Sequence, residues 1–183
     1  MRLAQLALLA ATMSEEEFAK AYPKPCLVFE KLPGGIFGTG SDTPTGEFHW
    51  AKTDLADRRE KDDDYGMPEA ITRETIFFLE KSSRNNFDGL VILGRQPRSD
   101  LVLESHLVSK VHLMFMQQPG AAGWNVVDPG STNGTLLNGK KLSPRAFEPI
   151  READVLVIAR EIEAVYHTAS GLFRRLSGLH VAS

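Results

Sequence analysis

The stretch that decides the fold lies at residues 124–139, which read WNVVDPGSTNGTLLNG. Two short apolar runs, 124–127 and 135–137, flank a segment made largely of turn-forming residues. Short β-branched runs separated by such turns are typical of antiparallel strands. The stretch therefore predicts a strand, a loop, a second strand and a tight turn. The pairs that predict the turns are Pro129-Gly130, Asn133-Gly134 and Asn138-Gly139.

The same rhythm runs from residue 75 to residue 166. Short runs of β-branched and bulky apolar residues alternate with turn signals, and few helices fit between them. This spacing predicts a mainly β protein built as an antiparallel β-sandwich. The runs that predict its strands are 75–79, 90–93, 101–103, 111–116, 124–127, 135–137, 155–158 and 162–166.

Both flanks of the sandwich predict helices. Leu3, Leu6 and Leu9 fall near helical spacing. Ser14 followed by Glu17 has the capping-box pattern that begins a helix, so the N-terminal residues predict two short helices or one bent helix. The last segment predicts a short helix that docks on the sandwich with one apolar face. That face consists of Leu172, Phe173, Leu176 and Leu179.

Between the N-terminal helices and the sandwich, residues 26–29 predict a short strand and residues 39–66 predict irregular chain. The acidic run at 62–64 is interpreted as a solvated linker rather than a metal site. Three parts follow: an N-terminal helical and irregular acidic extension, the sandwich and the C-terminal helix. Their expected bounds are 1–73, 74–167 and 168–183.

The composition is that of a globular chain, with 183 residues of which 42% are hydrophobic and 25% charged. Cys26 is the only cysteine, which excludes an intramolecular disulfide framework and predicts a reducing compartment, most simply the cytoplasm. The apolar stretch 3–11 is far shorter than the roughly 20 residues of a membrane span, so no membrane partner is expected.

The net charge of −3 is concentrated in the first part of the chain. Residues 1–74 hold 9 Lys and Arg against 14 Asp and Glu, whereas residues 75–167 hold 10 of each kind. No segment has the concentrated basic face that neutralises many nucleic-acid phosphates. Nucleic acid is therefore not an expected partner.

Three groups of polar residues stand at predicted strand ends, where loops of a sandwich form recognition surfaces. They supply a guanidinium, an ammonium, hydroxyls, an amide side chain and backbone N–H groups near glycines, with no nearby carboxylate. Such donors match a phosphorylated side chain, which brings about −1.5 to −2 charge and three acceptor oxygens. The groups are Gly94-Arg95, Ser109-Lys110-Val111-His112 and Ser131-Thr132-Asn133-Gly134-Thr135, followed by Asn138-Gly139.

In this order, the three groups resemble the signature of the forkhead-associated (FHA) domain family over roughly residues 74–167. The resemblance implies an FHA-type sandwich that binds phosphothreonine peptides through loops at one end and has no catalytic activity. It implies that Arg95 pairs with the phosphate, that Ser109 donates its hydroxyl, and that Thr132 contributes beside it.

The resemblance also gives roles to the neighbouring residues. Asn133 would contact the peptide backbone, His112 would hold the loop around Ser109, and Gly94 would allow the turn that aims Arg95. Lys110 occupies a variable position of the family, and lysine lacks the bidentate fork of arginine, so its phosphate role stays open. Asn138 and Gly139 would shape the hairpin.

Structural interpretations of the same residues remain open beside these. Arg95 can be an ordinary surface arginine after a strand, Ser109 can cap a turn, and Thr132 can brace the Asn133-Gly134 turn. Asp128 is interpreted as a turn former, and Trp124 is expected to pack in the core.

Enzymatic interpretations fail on the residues. Residues 134–140 satisfy the first seven positions of a P-loop, but Lys141 replaces the required Ser or Thr and no helix start follows. The five histidines match no zinc motif, and no nucleophile elbow is present. No enzyme activity, metal or cofactor is therefore expected.

The leading hypothesis is a phosphothreonine-dependent peptide-binding module that acts as an adaptor in Ser/Thr kinase signalling. Its partner would be a Thr-phosphorylated protein or peptide, including a kinase or its substrate. The alternative is a phosphate-independent structural adaptor in a protein assembly, for example in secretion-system regulation. In a third variant, the acidic extension masks the pocket, or its own threonines bind there once phosphorylated. Those threonines are Thr39, Thr43, Thr45 and Thr53.

Overall fold

The computed structural model describes residues 3–32, 75–117 and 123–180, which form eleven strands and three helices. The strands are β1 (Cys26–Lys31), β2 (Ile76–Phe78), β3 (Leu90–Gly94), β4 (Leu101–Val102), β5 (Leu113–Gln117), β6 (Trp124–Val127), β7 (Thr135–Leu137), β8 (Lys140–Lys141), β9 (Glu148–Ile150), β10 (Val155–Ile158) and β11 (Ile162–His167). The helices are α1 (Leu3–Ala10), α2 (Glu15–Ala21) and α3 (Ala169–His180).

The strands form two sheets that enclose an apolar core. One sheet has the order β2-β1-β11-β10-β7-β8 and the other has the order β4-β3-β5-β6-β9. The β3–β4 pair is parallel, and the other described pairs are antiparallel. The predicted mainly β sandwich is confirmed, and each of the eight predicted runs overlaps a strand. Trp124 packs in the core between the sheets, as expected.

Strand β1 has a larger part in the fold than its place in the sequence indicates. It lies between β2 and β11, and it is buried on both faces. Leu27 and Phe29 pack into the core between the sheets, whereas Cys26 and Val28 face the opposite side. The sandwich therefore includes chain on the N-terminal side of residue 74, where the change in composition predicted its beginning. A deletion of residues 1–70 would remove this interior strand.

The three helices form a layer over the outer face of β1 and β2. Two short helices precede β1, and the predicted capping box is present: Glu17 N–H donates to Ser14 Oγ, while Ser14 N–H donates to the Glu17 carboxylate. Helix α3 buries Leu172 and Leu176 in the second apolar cluster. The cluster comprises Leu3, Leu6, Ala7, Ala10, Phe18, Cys26, Val28, Ile76, Leu172 and Leu176.

Two findings concern the limits of the described chain. The segment predicted to be irregular at 39–66, with its four threonines, lies outside the described residues. Within residues 3–32, 75–117 and 123–180, no helix is both long enough and apolar enough to cross a membrane.

The carboxylate of Glu152 holds the beginning of α3. It accepts hydrogen bonds from the N–H and the hydroxyl of Thr168 at 2.6 and 2.7 Å, and its other oxygen lies 2.6 Å from His167 Nδ1. Burial alone would raise the pKa of Glu152. The hydrogen bonds from Thr168 and His167 nevertheless hold this pKa below its usual value. The approach requires Gly171, because a Cβ there would lie 2.0 Å from the carboxylate.

We expect Gly171→Ala to lower the free energy of unfolding by about 1–3 kcal/mol, because the new methyl group must displace a hydrogen-bonded, half-buried carboxylate. The matched control is Gly178→Ala in the same helix, where a Cβ meets no atom within 4 Å. That change should leave stability equal or raise it by up to about 1 kcal/mol through helix propensity. Urea unfolding measures both, and equal effects of the two changes would contradict the role given to Gly171.

Candidate functional site

Three loops meet at one end of the sandwich because of the strand register. β3 pairs with β5 so that Leu93 lies opposite Leu113, and β5 pairs with β6 so that Met114 lies opposite Val127. The end of β3, the beginning of β5 and the end of β6 therefore lie side by side. The loops at this end follow Gly94, precede His112 and run from residue 128 to residue 134.

The second and third loops are joined directly through Ser109 and Thr132. Thr132 N–H donates to Ser109 Oγ at 3.0 Å, and the two side-chain oxygens lie 3.4 Å apart. Next to them, the side-chain amide Nδ2 of Asn133 donates to Leu107 O at 2.7 Å. Three residues singled out in the sequence thus occupy one place, although 23 residues separate Ser109 from Thr132.

The end of β3 lies against the same serine. Arg95 N–H donates to Ser109 O at 3.0 Å, and Gln96 N–H donates to Lys110 O at 3.3 Å. The approach is so close that a Cβ at Gly94 would lie 2.1 Å from Lys110 O. Arg95 and Lys110 are exposed, and neither side chain forms an ion pair or hydrogen bond within the described part of the chain.

His112 joins the loop that contains Ser109 to the loop that ends at Gly134. It is completely buried, its Nδ1 accepts from Ser109 N–H at 3.0 Å, and its Nε2 lies 3.3 Å from Gly134 O. Because Nδ1 must accept, the proton resides on Nε2 and is donated to the Gly134 carbonyl. Burial lowers the pKa of His112, although the bond to Gly134 and the charge of Asp128 act in the opposite direction. The fold therefore favours the neutral imidazole.

The loop from residue 128 to residue 134 is shaped by the buried carboxylate of Asp128. One oxygen accepts from the N–H groups of Gly130 and Ser131 at 2.9 and 2.6 Å, and the other accepts from the Ser131 hydroxyl at 2.7 Å. Ser131 Oγ in turn accepts from Gly134 N–H at 3.1 Å. Asp128 is thus the turn former expected from the sequence, whereas the bracing role of Ser131 was missed. Its signal is a Ser three residues after an Asp.

Asn138 and Gly139 lie at the other end of the sandwich. They occupy the two-residue turn between β7 and β8, with φ angles of 50° and 79°, as a type I′ turn requires. The Asn138 side chain accepts from Val155 N–H at 2.9 Å and donates to Asp154 at 2.8 Å. These two residues shape the hairpin without belonging to the three-loop site.

Residues 91–159 match the family model described as FHA domain. The chain carries an FHA domain. The match contains every residue proposed for the site, nearly all of the β4-β3-β5-β6-β9 sheet, and strands β7, β8 and β10 of the other sheet. Strands β1, β2 and β11 and the three helices lie outside it.

Among curated proteins, the chain is 39% identical over 67 residues to the oxoglutarate dehydrogenase inhibitor of Corynebacterium diphtheriae. The match covers 37% of this chain and 43% of that protein, so the chain spans less than half of the curated relative that it matches.

Solved structures of FHA domains are also similar to this chain. The MEK1 FHA domain in complex with a phosphothreonine peptide of HOP1 is 26% identical, with 52% of this chain and 89% of that chain covered and a TM-score of 0.43. The FHA domain of an Arabidopsis thaliana hypothetical protein is 20% identical, with 79% and 85% covered and a TM-score of 0.48. Mycobacterium tuberculosis EmbR in complex with a low-affinity phosphopeptide is 19% identical, with 52% and 22% covered and a TM-score of 0.43.

Arg160 is a further cation at the end of the sandwich where the three loops meet, which we call the loop end, and it was not singled out in the sequence. Arg160 lies in the turn between β10 and β11, and the N–H of the preceding Ala159 donates to Gly134 O at 3.1 Å. Ala159 and Arg160 have φ angles of 51° and 71°, a left-handed conformation that neither residue type signals. Sequence patterns therefore gave no indication of this turn.

We expect the stability of the FHA domain to fall as the pH decreases below about 6.5, the ordinary pKa of histidine. The unfolded chain takes up the His112 proton there, whereas the folded chain, with its lowered pKa, takes it up only at lower pH. The contribution is fully present above pH 6.5 and is lost toward the folded pKa, at up to about 1.4 kcal/mol for each pH unit.

Urea unfolding between pH 5 and pH 8 measures this effect, with His112→Gln as a variant that cannot titrate at this position. The wild-type protein should lose more stability on acidification than the variant does. Equal pH dependence of the two proteins would show that His112 is not the titrating group.

Proposed function

We propose that this FHA domain binds a threonine-phosphorylated peptide or protein through Arg95, Ser109, Lys110, Thr132 and Asn133. One observation carries the proposal: the hydrogen bond from Thr132 N–H to Ser109 Oγ joins two loops, and the backbone of Arg95 is bonded to the same serine. Two hydroxyls and the backbone from which the Arg95 side chain extends are thereby held at one place before a ligand arrives.

The charges at this place favour an anion. Arg95 and Lys110 are exposed and make no ion pair within the described part of the chain. The nearby carboxylate of Asp128 is buried and accepts three hydrogen bonds from its own turn. A phosphate with about −1.5 to −2 charge therefore meets two cations, while the negative charge of Asp128 is compensated inside the loop.

The hydroxyl of Ser109 can donate a hydrogen bond to the phosphate while the bond from Thr132 N–H to Ser109 Oγ is kept. Its oxygen accepts the Thr132 N–H at 3.0 Å, but its contact with Thr132 Oγ1 is long, at 3.4 Å. A hydroxyl has one proton and two lone pairs. The proton can therefore turn toward a phosphate oxygen while a lone pair keeps the Thr132 bond.

Asn133 is arranged to bind the peptide main chain. Its Nδ2 group is used by Leu107 O, and its Oδ1 atom makes no hydrogen bond to another described residue. A side-chain carbonyl oxygen accepts up to two hydrogen bonds, so Oδ1 suits a backbone N–H of an extended peptide.

The proposed role is that of an adaptor whose contacts depend on a Ser/Thr kinase, with no catalytic step of its own. The described residues contain no group of three or more His, Cys, Asp or Glu that could hold a metal ion. Cys26 is not a usable nucleophile, because burial raises the pKa of its thiol to about 12. A free thiol suits a reducing compartment, and we place the interaction in the cytoplasm.

A phosphate-independent structural adaptor is the second candidate. It is favoured by helix α1, where Leu8 and Leu9 are 69% and 48% exposed and every residue except Gln5 is apolar. A protein that docks on this face would not need the three-loop site. The two candidates therefore differ in whether binding depends on phosphate and on Arg95.

We expect Arg95→Ala to weaken binding of a phosphothreonine peptide by about 30-fold or more, because an arginine–phosphate pair that the bound peptide covers costs about 2 kcal/mol or more to break. The matched control is Arg151→Ala, an exposed arginine at the opposite end of the sandwich. Fluorescence anisotropy with a phosphothreonine peptide library and its unphosphorylated twin measures the difference. If the folded wild-type protein binds no phosphopeptide, or binds both twins equally, the second candidate replaces the first.

Ser109→Ala should weaken the same phosphopeptide by about 5- to 30-fold, since one hydrogen bond to an ionised group contributes about 1–2 kcal/mol. Binding should persist, because Arg95 and Lys110 remain. Ser83→Ala, at an exposed serine of the loop before β3, is the control. An affinity of Ser109→Ala within twofold of wild type would leave that serine only its structural role.

A further inference from the structure

We propose that Phe147, between β8 and β9, contacts an apolar side chain of the phosphorylated ligand and so helps to select it. This inference rests on the proposed function. Large hydrophobic side chains are exposed at four described positions, and among them Phe147, at 59% exposure, lies at the loop end of the sandwich. The other three are Leu8, Leu9 and Phe87.

The strand register places Phe147 beside the site. Glu148 pairs with Val126, and β6 ends one residue later, so Phe147 lies next to the point where the 128–134 loop leaves the sheet. Two residues before the ring, Arg145 N–H donates to Asp128 O at 2.7 Å. The carboxylate of the same Asp128 holds the turn that carries Thr132.

The segment that presents the ring is held at both ends. Leu142 and Ile150 are buried in the core, and Leu142 N–H donates to Thr135 O at 2.9 Å. Between them, Ala146 N–H donates to Ser143 O at 3.1 Å. This bond closes a turn with proline at its second position and Arg145 at its third.

Arg145 has a φ angle of 65°, a left-handed conformation that usually requires glycine at this position of a turn. Unfavourable backbone conformations persist where the surroundings determine them, and they concentrate at ligand sites. Here the hydrogen bond from Arg145 N–H to Asp128 O holds the backbone of Arg145 in this conformation. The ring of Phe147 is therefore presented by a fixed backbone, which lowers the ordering cost of binding.

The reach of the ligand follows from the bonded path. From Phe147 to Arg145 and from Asp128 to Thr132 the path has six Cα–Cα steps of about 3.8 Å, and the hydrogen bond between Arg145 and Asp128 adds about 6 Å, so the path is at most roughly 29 Å. An extended peptide covers that distance in about nine residues at about 3.3 Å each. The apolar side chain should therefore lie within about nine residues of the phosphothreonine.

The test is a set of phosphothreonine peptides in an alanine background, with one leucine moved through about nine positions on each side. Wild-type protein should bind one or two of these peptides about tenfold more tightly than the peptide without leucine, as for an aromatic contact of moderate energy. Phe147→Ala should abolish that gain and leave the affinity for the leucine-free peptide unchanged. Phe87→Ala is the matched control, an exposed phenylalanine beyond the opposite end of β3.

The outcomes separate this inference from the proposed function. Phosphate-dependent binding without any gain from leucine, or with a gain that Phe147→Ala retains, would overturn the inference alone. A gain lost equally in Phe147→Ala and Phe87→Ala would also overturn it. Wild-type protein that binds no phosphopeptide would overturn the proposed function and this inference with it.

Discussion

The recognition end of this protein depends on one buried imidazole. His112 accepts a hydrogen bond from the backbone N–H of Ser109 and donates one to the carbonyl of Gly134, so it joins two loops that have no common strand. Only the neutral form, with its proton on Nε2, can make both bonds. Burial favours that form by lowering the pKa of His112. A phosphate site thus rests on an uncharged histidine, and its cations, Arg95 and Lys110, are left at the surface where the ligand arrives.

A second constraint joins this end to the rest of the molecule. Strand β1 is buried on both faces, since Leu27 and Phe29 pack between the sheets and Cys26 and Val28 pack under the helices. Detachment of β1 from the sheet would expose both apolar clusters to water. The helical layer is therefore part of the same cooperative structure as the sandwich, although the residues that match the family begin only at position 91.

The sequence predicted the strands where turn chemistry marks them, as at Asn138-Gly139, and it predicted the meeting of Ser109 with Thr132 only through the resemblance to a family. It did not predict that β1 is an interior strand of a sheet, between β2 and β11. That pairing joins Cys26 to His167, and no local pattern reports a contact of such sequence separation. Strand β9, which contains Pro149, was missed because proline is unfavourable in strands and is tolerated at a sheet edge.

Asp128 explains why a carboxylate is compatible with an anion site. A buried charge is costly unless it is hydrogen-bonded, and three donors from Gly130 and Ser131 satisfy this one. Its backbone carbonyl holds a different segment, through Arg145 N–H. One residue thereby fixes both the loop that carries Thr132 and the segment that presents Phe147. Because both depend on the same residue, a displacement of Asp128 would move a phosphate contact and an apolar contact together, so the two parts of the proposed surface keep a constant spacing.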